Sequence, residues 1–118
     1  MTPNDFDAEE AKKFLLERDK RRREEREKDR QEMLQKVTLV LREKFAHTSV
    51  EVFLVGSITR PYSFSSHSDV DVVLKNYQGD RFSLWSELEE AFGRSVEIIS
   101  FETCSFQKFV AEEGLKVV

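Results

Sequence analysis

The spacing of hydrophobic positions changes along this chain, and the change predicts one long helix followed by a compact domain. Residues 17–32 contain no apolar side chain, whereas apolar residues recur three and four apart over residues 33–45. The second pattern is typical of a helix that packs one side on a core. We therefore expect residues 1–46 to form a helical arm whose charged middle projects into solvent, with Asp7 as its N-cap and Glu10 three positions on.

Residues 47–118 show short apolar runs that alternate between two periodicities. Runs rich in β-branched residues predict buried strands, and apolar residues three and four apart predict helices that end at a glycine. The expected strands are 50–55, 70–74 and 96–101, the expected helices are 79–92 and 103–113, and 115–118 is a short edge segment. This alternation is typical of an α/β (α+β) fold, a small mixed β-sheet flanked by helices.

Charge is distributed unevenly over the 118 residues. Residues 1–46 hold 13 Lys/Arg and 12 Asp/Glu, whereas residues 47–118 hold 6 and 11. An acidic domain is a poor partner for nucleic acid, which needs a basic surface, but it suits a site that attracts cations. No apolar run has the length of a membrane span, and Cys104 is the single cysteine. We therefore expect a cytoplasmic protein that contacts neither membrane nor nucleic acid directly.

Two acids lie in a run that otherwise reads as a buried strand. Asp69 and Asp71 are two positions apart, so on a strand both side chains emerge on one face, roughly 7 Å apart. Like charges this close need a positive group between them, and a divalent cation such as Mg²⁺ is the simplest one. Glu97 in the third predicted strand would complete a three-carboxylate cluster; the alternative is an edge-strand acid that points into solvent.

The first predicted strand ends in a turn that suits a phosphate group. Gly56 lets the backbone approach a phosphate closely, and backbone N–H groups together with the Ser57 hydroxyl can donate to its oxygens. Arg60 could bind such oxygens through two N–H groups. The alternatives are an ordinary Gly-Ser turn and a surface arginine.

Taken together, these motifs resemble the Gly-Ser…Asp-x-Asp signature of the polymerase-β-type nucleotidyltransferase superfamily, and the small size points to its minimal nucleotidyltransferase branch. The likeness covers residues 50–101. It implies a polymerase-β-like core in which the acids bind Mg²⁺ and the turn holds the triphosphate of ATP. The chain departs from the usual pattern by eleven instead of ten residues between the turn and the first acid, and by Glu in place of Asp as third acid. The residues that carry these implied roles are Gly56, Ser57, Arg60, Asp69, Asp71 and Glu97.

The resemblance also implies a biological role. Small members of this branch often act as antitoxins that transfer AMP from ATP to a tyrosine of a HEPN-domain ribonuclease toxin, so we expect a hetero-oligomer with such a toxin. The arm, with Phe14, Leu15 and Leu16 as an apolar anchor, would hold the toxin; the alternative is a solvated helix without a partner. A binding-only antitoxin remains open. Transfer to a small molecule ranks last, because the chain lacks a second domain to enclose one.

Overall fold

The computed structural model describes residues 7–118, and the first six residues of the expected arm lie outside the described part. Four strands and three helices follow one another, with a short 3₁₀ helix after the first strand. In chain order they are α1 (Ala8–Phe45), β1 (Glu51–Val55), the 3₁₀ helix (Ser57–Thr59), β2 (Val70–Lys75), α2 (Arg81–Phe92), β3 (Val96–Ser100), α3 (Gln107–Glu113) and β4 (Leu115–Lys116).

The strands form one mixed sheet in the order β3-β2-β1-β4. β1 runs antiparallel to β2 and β4, whereas β2 and β3 are parallel and joined through α2. This confirms the expected fold class, a small mixed sheet flanked by helices with a long N-terminal helix. The end of β1 and the starts of β2 and β3 consequently meet at the same end of the sheet.

Side-chain alternation along the strands gives the sheet two apolar faces. α1 and α2 cover one face, where Leu41 and Leu88 join a core that includes Val72. The other face is covered only by the short helix α3, whose Val110 packs with Val73. Because α3 has seven residues, it leaves part of this face open, and the open part lies beside the end of the sheet where three strands meet.

The helix ends follow the expected caps. The Asp7 carboxylate accepts hydrogen bonds from the N–H groups of Glu9 and Glu10, at 2.9 and 3.3 Å, and so begins α1. Gly93 ends α2 in the left-handed conformation, with φ of 64°, which glycine adopts at little cost. Within residues 7–118, the structure has no helix with both the length and the apolar character needed to cross a membrane.

Two expectations about the helices were wrong. The charged middle of α1 does not project entirely into solvent, because Glu27 and Arg30 are buried against the domain, each 8 % exposed. The last helix begins at Gln107 and not at residue 103, because residues 101–106 form turns that bring the chain away from β3.

Candidate functional site

Strand pairing places two acids side by side at the end of the sheet. Asp71 of β2 and Glu97 of β3 are in register in the parallel pair, and they share the face that α3 partly covers, because Val73 and Ile99 two positions further on belong to that face. Asp71 is half-buried and Glu97 is exposed. The prediction that Glu97 joins the aspartate strand therefore agrees with the observed register.

The electrostatics of Asp71 reflect this crowding. Burial is the largest of the causes that together raise the pKa of the Asp71 carboxyl from its ordinary value of 3.8 to about 6. The other causes are the negative charges of Glu97 and Asp69 and a hydrogen bond between the Asp71 and Glu97 carboxyl groups. Among residues 7–118, no ion pair includes any of these three acids. The acids thus form a concentration of negative charge without a protein cation to balance it.

Gly56 lies directly against the Asp71 carboxylate. Val55 and Asp71 are opposite each other in the antiparallel pair, so the turn after β1 passes beside this acid. A Cβ atom added to Gly56 would clash with Asp71 Oδ2 and lie 3.4 Å from its Cγ, and the glycine has φ of 81°. Only glycine accommodates both the positive φ and the close approach. The turn and the acid that were predicted as parts of one site are therefore in contact.

The rest of the turn is a compact, internally bonded unit. The N–H and the hydroxyl of Thr59 both donate to the Gly56 carbonyl, at 3.1 and 2.7 Å, and the Arg60 N–H donates to the Ser57 carbonyl at 3.1 Å. Ser57 is half-buried and begins the 3₁₀ helix, while Arg60 is exposed after its last residue. No side-chain hydrogen bond or ion pair within residues 7–118 holds the Arg60 guanidinium.

A groove of about 950 Å³ joins these features. Its floor is the open end of the sheet with Asp71 and Glu97, one wall is the turn with Gly56 and Arg60, and the other wall is α3. Ser57 and Asp69 are not among the lining residues, although Asp69 is close enough to raise the pKa of Asp71. The structure thus brings together four of the six predicted site residues in one groove.

The α3 wall was not anticipated from the sequence. It contributes Phe106, Lys108 and Phe109 to the groove, together with two glutamates. The two phenylalanines are three positions apart, which was the available signal, but in a predicted helix that spacing usually marks side chains that face the core. Their exposure depends on how far α3 covers the sheet, and local sequence does not determine that.

The donor set at the floor suits Mg²⁺ bound together with phosphates. Carboxylate oxygens are the ligands that Mg²⁺ prefers, and it is commonly held by one or two carboxylates plus substrate phosphates. Asp71 and Glu97 supply such a pair. Within residues 7–118, no three His, Cys, Asp or Glu side chains are close enough together to hold a metal ion, because Asp69 lies one residue before β2 and is exposed. The three-carboxylate cluster expected from the sequence stays a prediction, and the structure places two of its acids, Asp71 and Glu97, side by side.

A buried ion pair on α1 fixes the loop that carries the turn. Arg30 bonds the Glu27 carboxylate and donates through Nη1 to the carbonyl of Ile58 in the 3₁₀ helix, at 2.8 Å. The Glu27 carboxylate also accepts from the N–H of Tyr62 at 2.6 Å, and Tyr62 has a φ of 63°. Hydrogen bonds from Arg30, and then from the Tyr62 N–H, lower the pKa of Glu27 to about 2. Within a run of 16 mostly charged residues, the sequence did not distinguish this pair from solvated neighbours.

The proposed anchor on the arm is exposed along α1. Phe14, Leu15 and Leu16 are all largely accessible to solvent. Because consecutive residues of a helix point about 100° apart, these three side chains do not share one face. A partner that wraps around the helix could bury all three, whereas a flat partner surface would contact one or two.

Comparison of the chain with protein-family models, with curated proteins and with solved structures finds no match in any of the three. A functional conclusion therefore depends on the geometry of the groove and on the motifs in the sequence.

Proposed function

We propose that this chain binds a nucleoside triphosphate with Mg²⁺ in the groove and transfers the nucleotidyl group to a hydroxyl of a partner protein. The observation that supports this most directly is the in-register pair Asp71 and Glu97. Asp71 lies against Gly56, and neither acid belongs to an ion pair within residues 7–118. Such a site attracts a divalent ion, and the ion in turn attracts phosphates. Arg60, on the same wall of the groove as Gly56, adds a guanidinium for phosphate oxygens.

Each residue then has a defined task in the transfer. Bound Mg²⁺ would neutralise charge on the triphosphate and polarise the phosphorus that is attacked. Gly56 and Arg60, which line one wall of the groove, would hold the β- and γ-phosphates. Glu97, the more exposed acid, would take the proton from the acceptor hydroxyl. The hydroxyl oxygen bonds to the α-phosphorus, the bond from that phosphorus to the β-phosphate oxygen breaks, and pyrophosphate leaves on the side of the turn.

The partner we propose is a HEPN-domain ribonuclease toxin, which transfer of AMP to a tyrosine would inactivate. This part of the proposal depends on the resemblance of the sequence to minimal nucleotidyltransferases. It is supported by α1, which is 38 residues long and carries exposed Phe14 and Leu16 far from the groove. Such an arm could bind the toxin without occupying the transfer site, and binding energy from remote contacts can be used to position the acceptor.

A second candidate function is a binding-only antitoxin. The specific observation that favours it is the position of Asp69, which lies outside the groove, so that residues 7–118 contain no three-acid metal group. In that case the groove and arm would occlude the toxin without turnover.

Intact-mass spectrometry of the partner protein tests the proposal. The HEPN-domain protein encoded beside this chain would be incubated with it, ATP and Mg²⁺, and we expect a mass gain in units of AMP. Glu97→Gln should slow the gain about 100-fold or more, as loss of a general base does. Glu90→Gln, an exposed acid on α2 outside the groove, is the matched control and should behave as the native chain. A stable complex with no mass gain would instead establish the binding-only candidate.

A further inference from the structure

Two aromatic side chains in the groove have no task in the transfer described above. Phe106 and Phe109 on the α3 wall are 39 % and 52 % exposed. Phe106 directly precedes α3 and Phe109 lies in its first turn, and both side chains line the same groove. Apolar aromatic surface inside a groove is unfavourable in water, and a planar ligand can cover it.

The charges on the two walls determine which end of a nucleotide faces these rings. The α3 wall carries Glu112 and Glu113, and the one lysine on it, Lys108, is 4.0 Å from Glu112. The glutamates of the α3 wall repel phosphates. The opposite wall attracts them, because Arg60 there forms no ion pair within residues 7–118. With the triphosphate at the turn, the sugar and base extend across the acids toward α3.

We propose that Phe106 and Phe109 form the subsite for the nucleobase, which stacks on the Phe109 ring. The inference rests on the proposed function, because it assumes that the groove holds a nucleotide. Stacking of a base on an aromatic side chain requires no particular base, since every base has a π-face. The subsite therefore contributes affinity for the nucleoside part of the ligand and little selection among nucleotides.

Isothermal titration of the full chain with two Mg²⁺-bound ligands, ATP and inorganic tripolyphosphate, tests the subsite. Native chain should bind ATP more tightly than tripolyphosphate. Phe109→Ala should weaken ATP binding about 5- to 100-fold, the range measured for loss of one stacking partner, and leave tripolyphosphate binding unchanged. Phe109→Tyr keeps the ring and should retain native affinity for ATP.

The matched control is Phe82→Ala, because Phe82 is an even more exposed phenylalanine that lies on α2 outside the groove. It should change neither affinity. Equal affinity of the native chain for ATP and tripolyphosphate, or unchanged ATP binding in Phe109→Ala, would overturn the subsite while leaving the proposed function in place. Failure of the native chain to bind either ligand would overturn both.

Discussion

The Asp71 side chain is held in a position that makes its charged form costly to the fold. Its carboxylate is half-buried, lies against the backbone of Gly56, and faces Glu97 across the parallel strand pair. The same crowding gives the carboxylate its use, because a cation bound here would relieve the repulsion. Residues that are retained because they bind a ligand often reduce the stability of the fold, and the crowded acids here are such a case under the proposed function.

Replacing this acid should stabilise the protein in a pH-dependent way. Because the pKa of Asp71 is about 6 when folded and 3.8 ordinarily, the folded state binds more protons between these values, so stability falls as pH rises from about 4 to 6. Asp71→Asn removes this loss. We expect the variant to be about 1–2 kcal/mol more stable than native chain at pH 7.5, after allowance for solvent screening of a half-buried group, and equal to it near pH 4. Urea unfolding without divalent ions measures this, and equal stability at pH 7.5 would contradict it.

Gly56 and Gly93 both have positive φ, but only Gly56 lies against Asp71. Comparing alanine variants at the two positions therefore separates the effect of this contact from the effect of backbone strain. Alanine at Gly93 adopts the left-handed conformation, which should cost about 1 kcal/mol of unfolding free energy, whereas alanine at Gly56 should cost more, up to about 3 kcal/mol, because φ of 81° with ψ of −158° is a region that essentially only glycine occupies. Only at Gly56 would the new methyl group also push away the Asp71 carboxylate, since nothing lies within 4 Å of a Cβ on Gly93. We therefore expect Gly56→Ala, and not Gly93→Ala, to lose Mg²⁺-ATP binding in titration calorimetry. Equal binding by the two variants would show that the contact is unimportant.

At the scale of elements, α1 has three parts with different surroundings. Its last turns pack on the sheet through Val37 and Leu41, its middle holds the loop after β1 through the buried pair Glu27 and Arg30, and its first turns are exposed. The helix therefore does more than carry an anchor. Because Arg30 bonds the 3₁₀ helix that follows Gly56, the position of the turn after β1 depends on an element that is distant in sequence.

Loss of the Glu27 charge should loosen this loop. In Glu27→Gln the side chain no longer makes a charged pair with Arg30, so the backbone N–H of Tyr62 should exchange with deuterium faster than in native chain, measured by mass spectrometry of peptides from residues 56–68. Glu24→Gln, an exposed acid three positions earlier, is the control and should leave exchange unchanged. If both variants exchange alike, α1 does not fix the loop.

The ion pair of Glu27 and Arg30 should also make the stability of the fold decrease at acid pH. The pKa of Glu27 is lowered from 4.5 to about 2, so its contribution to stability is fully present above about pH 4.5 and is lost as pH falls toward 2. The difference in unfolding free energy between native chain and Glu27→Gln should accordingly be constant from pH 7 to 5 and shrink below pH 4.5. Urea unfolding at stepwise lower pH checks this, and a difference that persists at pH 2 would speak against it.

At the scale of the whole molecule, the protein is a small domain with a long extension, 72 × 29 × 20 Å along its principal axes. The contacts of α1 with the domain begin at Arg23, whose guanidinium lies 4.6 Å from the centre of the Tyr62 ring, and the turns of α1 before it form the extension. Stability of the domain and the proposed contact with a partner consequently depend on different ends of one helix. This separation allows the two properties to be tested independently.

Substitution at the free end of α1 should affect partner binding and not stability. Phe14 and Leu16 are 59 % and 60 % exposed, so Phe14→Ser with Leu16→Ser should leave the thermal midpoint unchanged while weakening the complex with the HEPN-domain protein, measured by calorimetry. Leu39→Ser, an equally exposed leucine on the domain end of α1, is the control. If only the control weakens the complex, the partner binds the domain and not the arm.

The sequence by itself determined the order of elements, because helical and strand periodicities, the Asp7 cap and the Gly93 cap act over a few residues. It also identified Asp71 and Gly56 as chemically unusual at their positions, since an acid in a buried run and a glycine at a strand end are local signals. The expected mixed fold was correct for this reason.

Tertiary structure alone decided three features that link distant parts of the chain. The register of β2 and β3 put Glu97 beside Asp71, the packing of α1 buried Glu27 out of a charged run, and the short length of α3 left Phe109 exposed in the groove. Each of these three features depends on how two elements pack or pair with each other, and the free energy of that packing comes from the whole core. No pattern within either element contains that information.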